Sequence, residues 1–250
     1  MIAYVFLFVR MFLFFIFLVV VAPVGFICKK LVPSFAYNVT RFAHKYLCTI
    51  FGLRVNIIGA PSKISPVLFV SNHVSYLDIP VLGSIVFCRF IAKSDVANWP
   101  IFGFLSKLQN TIFIERNPAK SLEQKKILQR SLENKDNLIL FPEGTSSDGK
   151  KVLPFKSSLF SITETAKKEK LPLLVQPVSI VLKKINGEKV TTETRDIYAW
   201  HGDMTLAPHL LKVAQQKNID IDVIFHETLD PNSFENRKAI AHRAWEIVSF

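Results

Sequence analysis

Seven short apolar runs between residues 54 and 225 constrain the fold more than any other feature of this sequence. Each run is rich in Val, Ile, Leu and Phe and is bounded by polar or turn-forming residues, as buried strands are. Helical patterns fill most of the gaps between them. This alternation predicts an α/β fold with a largely parallel mixed sheet flanked by helices. The runs are 54–59, 67–71, 89–93, 111–114, 137–141, 173–182 and 219–225.

Four helices are predicted from apolar residues at helical spacing. The second begins at Asn117, an N-cap residue that is followed by Pro118 at the first helical position. The first comes directly after an apolar N-terminal segment, and we expect it to rest against a bilayer. The predicted helices cover 35–52, 117–132, 157–170 and 235–248.

The N-terminal segment 2–28 is apolar apart from Arg10, Pro23 and Gly25. Its portion 2–22 is long enough to cross about 30 Å of hydrocarbon as a helix. A cleavable signal peptide is disfavoured, because no positively charged region precedes the run and the run is too long. Arg10 is costly in the middle of a bilayer, so two arrangements stay open. Either a spanning helix lets Arg10 snorkel, or a helical hairpin bent at Pro23–Gly25 lies in the membrane interface.

Net charge and cysteine content limit the classes of binding partner and the compartment that we expect for this protein. The net charge of +11 suits an anionic membrane surface and equally suits a phosphorylated substrate. Lys29, Lys30, Arg41 and Lys45 flank the apolar segment and place the body of the protein on the cytoplasmic side. Nucleic acid is not expected as a partner, since no basic helix, zinc spacing or aromatic-basic repeat is present. The three scattered cysteines form neither a disulfide framework nor a metal site, which agrees with a reducing compartment.

The octapeptide SNHVSYLD (71–78) carries His73 and Asp78 five positions apart. A helix would point these side chains about 140° apart, and a strand would place them on opposite faces. Only a turn can bring them together. From these residues alone two interpretations remain: Asp78 caps a helix that has Pro80 in its first turn, or Asp78 pairs with His73 in a catalytic dyad.

A second polar loop, FPEGTSSDGK (141–150), follows another predicted strand. Its Pro and Gly enforce a turn, so Gly144 and Thr145 can present backbone N–H and hydroxyl donors to an anion. Glu143 can accept a hydrogen bond from a hydroxyl or an amine. An ordinary strand-to-helix loop with a charged tip is the alternative.

Three cations stand at strand or loop ends. Arg116 follows the run 111–114 and can form a forked contact with a phosphate, or it can pair with Glu115 on the surface. Lys93 and Lys156 are either ligands of the same anion or ordinary solvated cations.

Other chemistries lack their sequence signatures. The chain has no G-x-S-x-G elbow, no H-E-x-x-H zinc motif, and no Walker or dinucleotide glycine pattern. His201 and His209 fit no standard metal spacing and are interpreted as core or loop histidines. No metal and no cofactor is therefore expected.

Four stretches resemble, in order and spacing, the four sequence blocks of the glycerolipid acyltransferase family, and in particular its bacterial 1-acyl-glycerol-3-phosphate acyltransferase branch. They are NHVSYLD, TIFIER, FPEGTSS and LLVQPVSI. The resemblance covers roughly residues 50–230 and extends to the hydrophobic N-terminus. The chain departs from the family at Asn110, where Gly is frequent, and at Ser146, where many members have Arg.

The resemblance implies a mechanism. His73 would take the proton from a lysolipid hydroxyl as that oxygen attacks an acyl thioester, and Asp78 would orient the imidazole and stabilise its cation. Asn72 would buttress the turn or polarise the thioester carbonyl. The residues implied in binding the glycerol and phosphate of the acceptor are Arg116, Glu143, Gly144 and Thr145, with Lys93 and Lys156 as further cations.

The resemblance also implies partners and location. The donor would be acyl-CoA or acyl-acyl-carrier protein, and the acceptor 1-acyl-glycerol-3-phosphate, acylated at its sn-2 hydroxyl to phosphatidic acid. Residues 1–50 would anchor a catalytic domain, 51–250, to an anionic membrane, the bacterial inner membrane, from its cytoplasmic side. Ser146 motivates an alternative acceptor, a lysolipid with an amino-acid head group such as lyso-ornithine lipid. A catalytically inactive membrane tether is the alternative from another class.

Overall fold

Each of the seven apolar runs forms a strand, with boundaries within three residues of those predicted. The computed structural model describes residues 2–31, 33–115 and 121–249. The strands are β1 (Leu53–Ile58), β2 (Val67–Ser71), β3 (Arg89–Lys93), β4 (Ile112–Ile114), β5 (Leu138–Leu140), β6 (Leu174–Ile185), β7 (Glu188–Lys189) and β8 (Ile219–Phe225).

The strands form one sheet in the order β1-β8-β6-β2-β5-β3-β4, and the short β7 pairs with β6. Strands β6, β2, β5, β3 and β4 run parallel to one another. Strand β8 is antiparallel to β6 and parallel to β1. The predicted mixed, largely parallel sheet is therefore confirmed. All five residues of β2 are buried, as expected of a strand inside a parallel sheet that is covered on both faces.

The helices are α1 (Ile2–Ile16), α2 (Ala22–Leu31), α3 (Pro33–Ile50), α4 (Asp78–Ile85), α5 (Phe102–Leu108), α6 (Ser121–Glu133), α7 (Ser161–Lys168), α8 (Thr192–Arg195), α9 (Leu206–Ala214) and α10 (Arg237–Val248). The predicted start of α6 at Asn117 lies outside the described residues. The predicted helix 157–170 is a 3₁₀ turn over Ser157–Phe160 followed by α7. Helix α10 begins two residues later than predicted, because the Asn236 side chain caps it.

Two apolar cores lie on opposite faces of the sheet. Phe69 belongs to one core, whereas its neighbours Leu68 and Val70 belong to the other, as the two-residue period of a strand requires. The first core contains side chains of the N-terminal helices and of α4 and α9, and the second contains side chains of α6, α7 and α10.

The N-terminal segment is helical from Ile2 to Cys28, so the hairpin turn at Pro23–Gly25, one of the two arrangements left open by the sequence, is not observed. A π-helical segment, Phe17–Val21, joins α1 to α2, and the N–H of Ala22 bonds to the carbonyl of Phe17. Proline lacks an N–H and its ring crowds the carbonyl four residues earlier, and a wider π turn accommodates both effects. Within the described residues this is the one helix whose length and composition would allow it to cross a membrane.

Arg10 does not face a bilayer, because its guanidinium is buried against the body of the protein. It donates hydrogen bonds to the carbonyls of Ala214, Gln216 and Lys217 at the carboxyl end of α9. These carbonyls lack partners inside the helix and carry partial negative charge, so a cation is well placed there. Arg10 therefore attaches α1 to the domain, while the opposite face of α1 stays exposed and apolar.

Candidate active site

The two polar loops of the sequence lie side by side because β2 and β5 are parallel neighbours. Val70 of β2 is paired with Leu140 of β5, so both strands end at the same edge of the sheet. His73 follows the first strand and Glu143 the second. The carboxyl edge of a parallel sheet is where α/β proteins place their ligand sites.

His73 and Asp78 form the pair that the octapeptide allowed. His73 Nδ1 lies 2.8 Å from Asp78 Oδ2. Asp78 is the first residue of α4 but makes no capping hydrogen bond, so the helix-cap interpretation is wrong. Instead, Asp78 Oδ2 accepts the N–H groups of Val74 at 2.7 Å and Ser75 at 3.0 Å. The loop thus folds around the carboxylate, which closes the five-residue gap to His73.

The imidazole of His73 is fixed in orientation and has one nitrogen available. Its ring stacks on Phe141 with the centroids 4.1 Å apart. Nδ1 donates to Asp78, so Nε2 carries the lone pair. No hydrogen bond joins Nε2 to another residue in the part of the chain that the structure describes, and 18% of the side chain is exposed. Nε2 can therefore accept a proton from a bound molecule.

Tyr198 is a site residue that the sequence analysis missed. Its hydroxyl donates to Asp78 Oδ1 at 2.6 Å, and its side chain is fully buried. It lies 120 positions from Asp78 in the sequence and belongs to no recognisable motif, so no local signal could have identified it.

Glu143 connects its loop to the His73 loop. Oε1 accepts the N–H of His73 at 2.6 Å, and Oε2 accepts the N–H of Leu153 at 2.9 Å. Burial raises the pKa of this carboxyl to about 7, although both N–H donors favour the ionised form. The predicted contact of Glu143 with an acceptor stays a prediction, and these two bonds do not favour it.

The turn after Glu143 is built around Gly144. Its φ of +70° belongs to the left-handed region that glycine tolerates. A Cβ at this position would lie 2.9 Å from the ammonium nitrogen of Lys156, so the absence of a side chain lets that cation approach the turn. Thr145 is exposed next to it. The structure thus brings three of the predicted binding residues together.

Of the other two predicted cations, Lys93 is described by the structure and lies further along the same edge. Arg116 is outside the described residues, and nothing is inferred about its position. Strand β4, which precedes it, is separated from β2 by β5 and β3, so its end lies roughly 14 Å from the end of β2. Lys93 is the last residue of β3, beside β5. The binding roles of both residues stay predictions.

Asn72 supports the loop through the neighbouring strand. Its side-chain oxygen accepts the N–H of Ile180 at 2.7 Å, and its amide donates to the carbonyl of the same residue at 2.9 Å. Of its two expected roles, this geometry favours the buttress. Ser147 adds a second brace, since its N–H donates to the carbonyl of His73 at 2.9 Å.

The remaining histidine predictions agree with the structure. His209 is buried and bonds the hydroxyl of Tyr76 and the carbonyl of Ala199, as a core histidine does. His201 is partly exposed beside Asp196. No group of three or more metal-ligating side chains occurs among the described residues.

Comparison with known proteins decides the family. Residues 54–181 match the model of a protein family described as Acyltransferase. A lyso-ornithine lipid O-acyltransferase of Brucella abortus is 36% identical over 222 residues, which cover 88% of this chain and 83% of that protein. The chain belongs to the acyltransferase family.

Further relatives differ in the acceptor that they are named for. A second lyso-ornithine lipid O-acyltransferase, from Rhizobium meliloti, is 38% identical, with 89% of this acyltransferase and 77% of that protein covered. A 1-acyl-sn-glycerol-3-phosphate acyltransferase of Neisseria gonorrhoeae is 29% identical, with 76% and 72% covered. The crystal structure of PlsC, the 1-acyl-sn-glycerophosphate acyltransferase of Thermotoga maritima, shares the fold with a TM-score of 0.69 and 22% identity, covering 98% of this chain and 92% of that one.

An apolar cleft of the acyltransferase lies beside the dyad loop. It is open to solvent and lies between α3, α5 and the start of α4, and its walls include Leu47, Leu77, Pro80, Phe102 and Leu105. A second apolar cleft shares Leu47 and Leu105 with it and extends to the N-terminal helices. Together they provide apolar walls from the N-terminal helices to the residues that flank Asp78.

Proposed function

We propose that this acyltransferase moves an acyl chain from an acyl thioester to the hydroxyl of a lysolipid, with His73 as the general base. The observation that carries the proposal is the 2.8 Å bond from His73 Nδ1 to Asp78 Oδ2, which leaves Nε2 free to take a proton. The donor is acyl-CoA or acyl-acyl-carrier protein, and we assign its acyl chain to the apolar cleft beside the dyad.

The reaction follows from these positions. Nε2 removes the proton of the acceptor hydroxyl while the oxygen attacks the thioester carbonyl. The tetrahedral intermediate collapses, the C–S bond breaks, and the leaving thiolate takes the proton back from Nε2. Asp78 holds the imidazole through Nδ1–H and stabilises the imidazolium that forms in between.

Direct transfer needs no nucleophile from the protein. Burial raises the pKa of Cys48 to about 12 and also raises the pKa of Cys88, so neither thiol is poised to attack at neutral pH. No described serine or cysteine side chain is hydrogen-bonded to the imidazole of His73. An already activated thioester therefore reacts with the bound alcohol in one transfer.

We propose lyso-ornithine lipid as the preferred acceptor. Two relatives that are 36% and 38% identical are named for it, whereas the Neisseria relative named for 1-acyl-sn-glycerol-3-phosphate is 29% identical. Ser146 agrees with this choice, because it takes the place of an arginine suited to a phosphate. 1-Acyl-glycerol-3-phosphate, expected from the sequence, is the second candidate and is favoured by the cation Lys156 at the Gly144 turn.

We further propose that residues 1–50 anchor the catalytic domain, 51–250, at the cytoplasmic face of a bacterial inner membrane. Phe8, Phe12 and Phe15 project from α1 with more than half of each side chain exposed. Burying such a surface in lipid is favourable at roughly 25 cal/mol per Å². The attachment of Arg10 to α9 supports a helix that lies along the domain within the interface.

An acceptor panel tests the function. Purified full-length protein in detergent is given acyl-CoA or acyl-acyl-carrier protein together with lyso-ornithine lipid, 1-acyl-glycerol-3-phosphate or a neutral lysolipid. We expect kcat/KM to be highest with lyso-ornithine lipid. A preference for the phosphate acceptor supports the second candidate, and folded protein without turnover on any acceptor supports a tether.

A further inference from the structure

The segment 191–200 touches the catalytic loops at three points. Trp200 donates its backbone N–H to the carbonyl of Val74 at 2.9 Å. Arg195 donates from Nη1 to the carbonyl of Gly149 at 2.7 Å. Tyr198, between them, donates its hydroxyl to Asp78 Oδ1 at 2.6 Å. The segment is therefore hydrogen-bonded both to the loop of the dyad and to the loop that contains Gly144.

The donors around Asp78 divide unequally between its two oxygens. Oδ2 receives His73 Nδ1 and the N–H groups of Val74 and Ser75. Among the described residues, the donor to Oδ1 is the hydroxyl of Tyr198. A carboxylate that is held at both oxygens cannot rotate about its Cβ–Cγ bond without losing one set of partners. The orientation of Oδ2 toward the imidazole thus depends on the bond at Oδ1.

We propose that Tyr198 is a positioning residue for acyl transfer, which acts on His73 through Asp78. The inference rests on the proposed function, in which the dyad performs the proton transfer. Tyr198 has no exposed surface and so does not touch the substrate. Its hydroxyl completes the hydrogen bonding of a carboxylate that is itself fully buried, where an oxygen without a donor is costly.

The state and the placement of Tyr198 suit this role. Burial, together with the negative charge of Asp78, raises the pKa of the phenol, so it keeps its proton and remains a donor. Its backbone N–H bonds to the carbonyl of Arg195 at the end of α8. Helix α8 starts with a capping box in which Thr191 and Thr194 bond each other's backbone. This one-turn helix delivers Tyr198 to the dyad from far along the chain.

The test compares Tyr198→Phe, Asp78→Asn and the double variant in the full chain. Tyr198→Phe keeps the buried ring and removes only the hydroxyl. We expect kcat to fall about tenfold, as for the loss of one hydrogen bond to a charged group, with both KM values within about twofold. In the Asp78→Asn background the same change is expected to have no further effect on kcat, because the carboxylate through which Tyr198 acts on His73 is already absent.

Thr163→Val is the matched control, since it removes a buried hydroxyl that bonds the carbonyl of Phe160 instead of Asp78 and lies on α7, away from the dyad loop and the cleft. It is expected to lower thermal stability about as much as Tyr198→Phe while kcat changes less than about threefold. A purely structural role for Tyr198 predicts equal effects of the two variants on kcat and an undiminished effect in the Asp78→Asn background.

Each result has one meaning. Wild-type kcat in folded Tyr198→Phe, or a full tenfold loss on top of Asp78→Asn, overturns the inference about Tyr198 while the proposed function stands. Wild-type kcat in Asp78→Asn overturns the proposed dyad itself. If Tyr198→Phe does not fold, fluorinated tyrosines at this position keep the shape and vary the acidity of the hydroxyl. We expect kcat to follow that acidity, and a flat series contradicts the inference.

Discussion

The sheet edge that carries the candidate site and the N-terminal helix each bury one charged side chain, and the two side chains have opposite roles. Asp78 has no exposed surface and accepts hydrogen bonds from backbone and side-chain donors. Arg10 is nearly as buried and donates to three backbone carbonyls of one helix end. At the edge the bonds set the direction of the proposed general base. At the N-terminus they attach an apolar helix whose outer face stays exposed.

The two regions are expected to differ in how well they tolerate substitutions. A proton transfer depends on angles and distances within fractions of an ångström, so the dyad is expected to respond steeply to small changes. A lipid-facing surface depends on apolar area, which is non-directional. Substitutions at the edge should therefore affect turnover by orders of magnitude, and substitutions at the N-terminal helix should affect stability or attachment by small amounts.

The largest effect is expected at the base. His73→Ala should lower kcat by about 10²–10⁴, the usual contribution of a positioned general base, with little change in folding. His242→Ala is the matched control, because this histidine is exposed on α10, far from the dyad loop in the sequence, and contacts Glu246 and Trp245 of the same helix. Steady-state kinetics and a thermal melt measure both variants. Equal turnover in the two folded variants would remove His73 from the mechanism.

A somewhat smaller effect is expected at its partner. Asp78→Asn should lower kcat about 10²-fold or more and leave both KM values nearly unchanged, because a neutral amide holds the imidazole more weakly and cannot stabilise its cation. The fold should persist, since the amide oxygen can take the place of Oδ2 and the amide N–H can donate to the Tyr198 oxygen. A variant that loses stability but keeps its kcat would make Asp78 a structural residue.

Glu143, which joins its loop to the His73 loop, should make the stability of the protein depend on pH. The pKa of Glu143 is about 7 in the folded protein because the group is buried, and that of an unfolded glutamate is about 4.3. Between these pH values the folded state binds more protons, so the free energy of unfolding falls as the pH rises through this window and levels off above it. Across the whole window the free energy of unfolding should fall by an amount on the order of 4 kcal/mol.

Denaturant unfolding at several pH values, compared between wild type and Glu143→Gln, measures this slope. The variant lacks the titrating group, so the stability difference between the two proteins should shrink or change sign toward pH 7. Glu169→Gln, at an exposed ion pair with Lys168, should run parallel to wild type. A difference between wild type and Glu143→Gln that is constant with pH would show that burial does not govern this carboxyl.

The smallest effect is expected at the anchor. Arg10→Met should lower the free energy of unfolding by about 2 kcal/mol, as for the loss of charge-assisted hydrogen bonds, while kcat stays within about twofold. Arg54→Met is the control, because Arg54 is largely exposed and 4.0 Å from Asp220, and it should change stability by less than about 0.5 kcal/mol.

Both variants, Arg10→Met and Arg54→Met, should remain in the membrane fraction through high-salt and carbonate washes, since the apolar face of α1 is intact in each of them. Release by salt alone would mean that charge, and not apolar area, holds the protein there.

The elements that were predicted correctly are those with a local signal. The strands β2, β3 and β8 have the predicted bounds, because runs of buried apolar residues repeat with the period of a strand and stop at turn residues. Helices α5 and α9 were missed. Their segments are short, and they owe their stability to packing against the N-terminal helices and the first core.

The chemistry of the two loops, the alternating order of strands and helices and the apolar character of the N-terminus can all be read along the chain, because each depends on residues within a few positions of one another. The side on which Arg10 faces, the capture of Glu143 by two backbone N–H groups and the contact of Tyr198 with Asp78 cannot be read in this way. These are hydrogen bonds between segments ten to more than two hundred residues apart. They exist because burial in a common core brings unpaired donors and acceptors together, where each must find a partner.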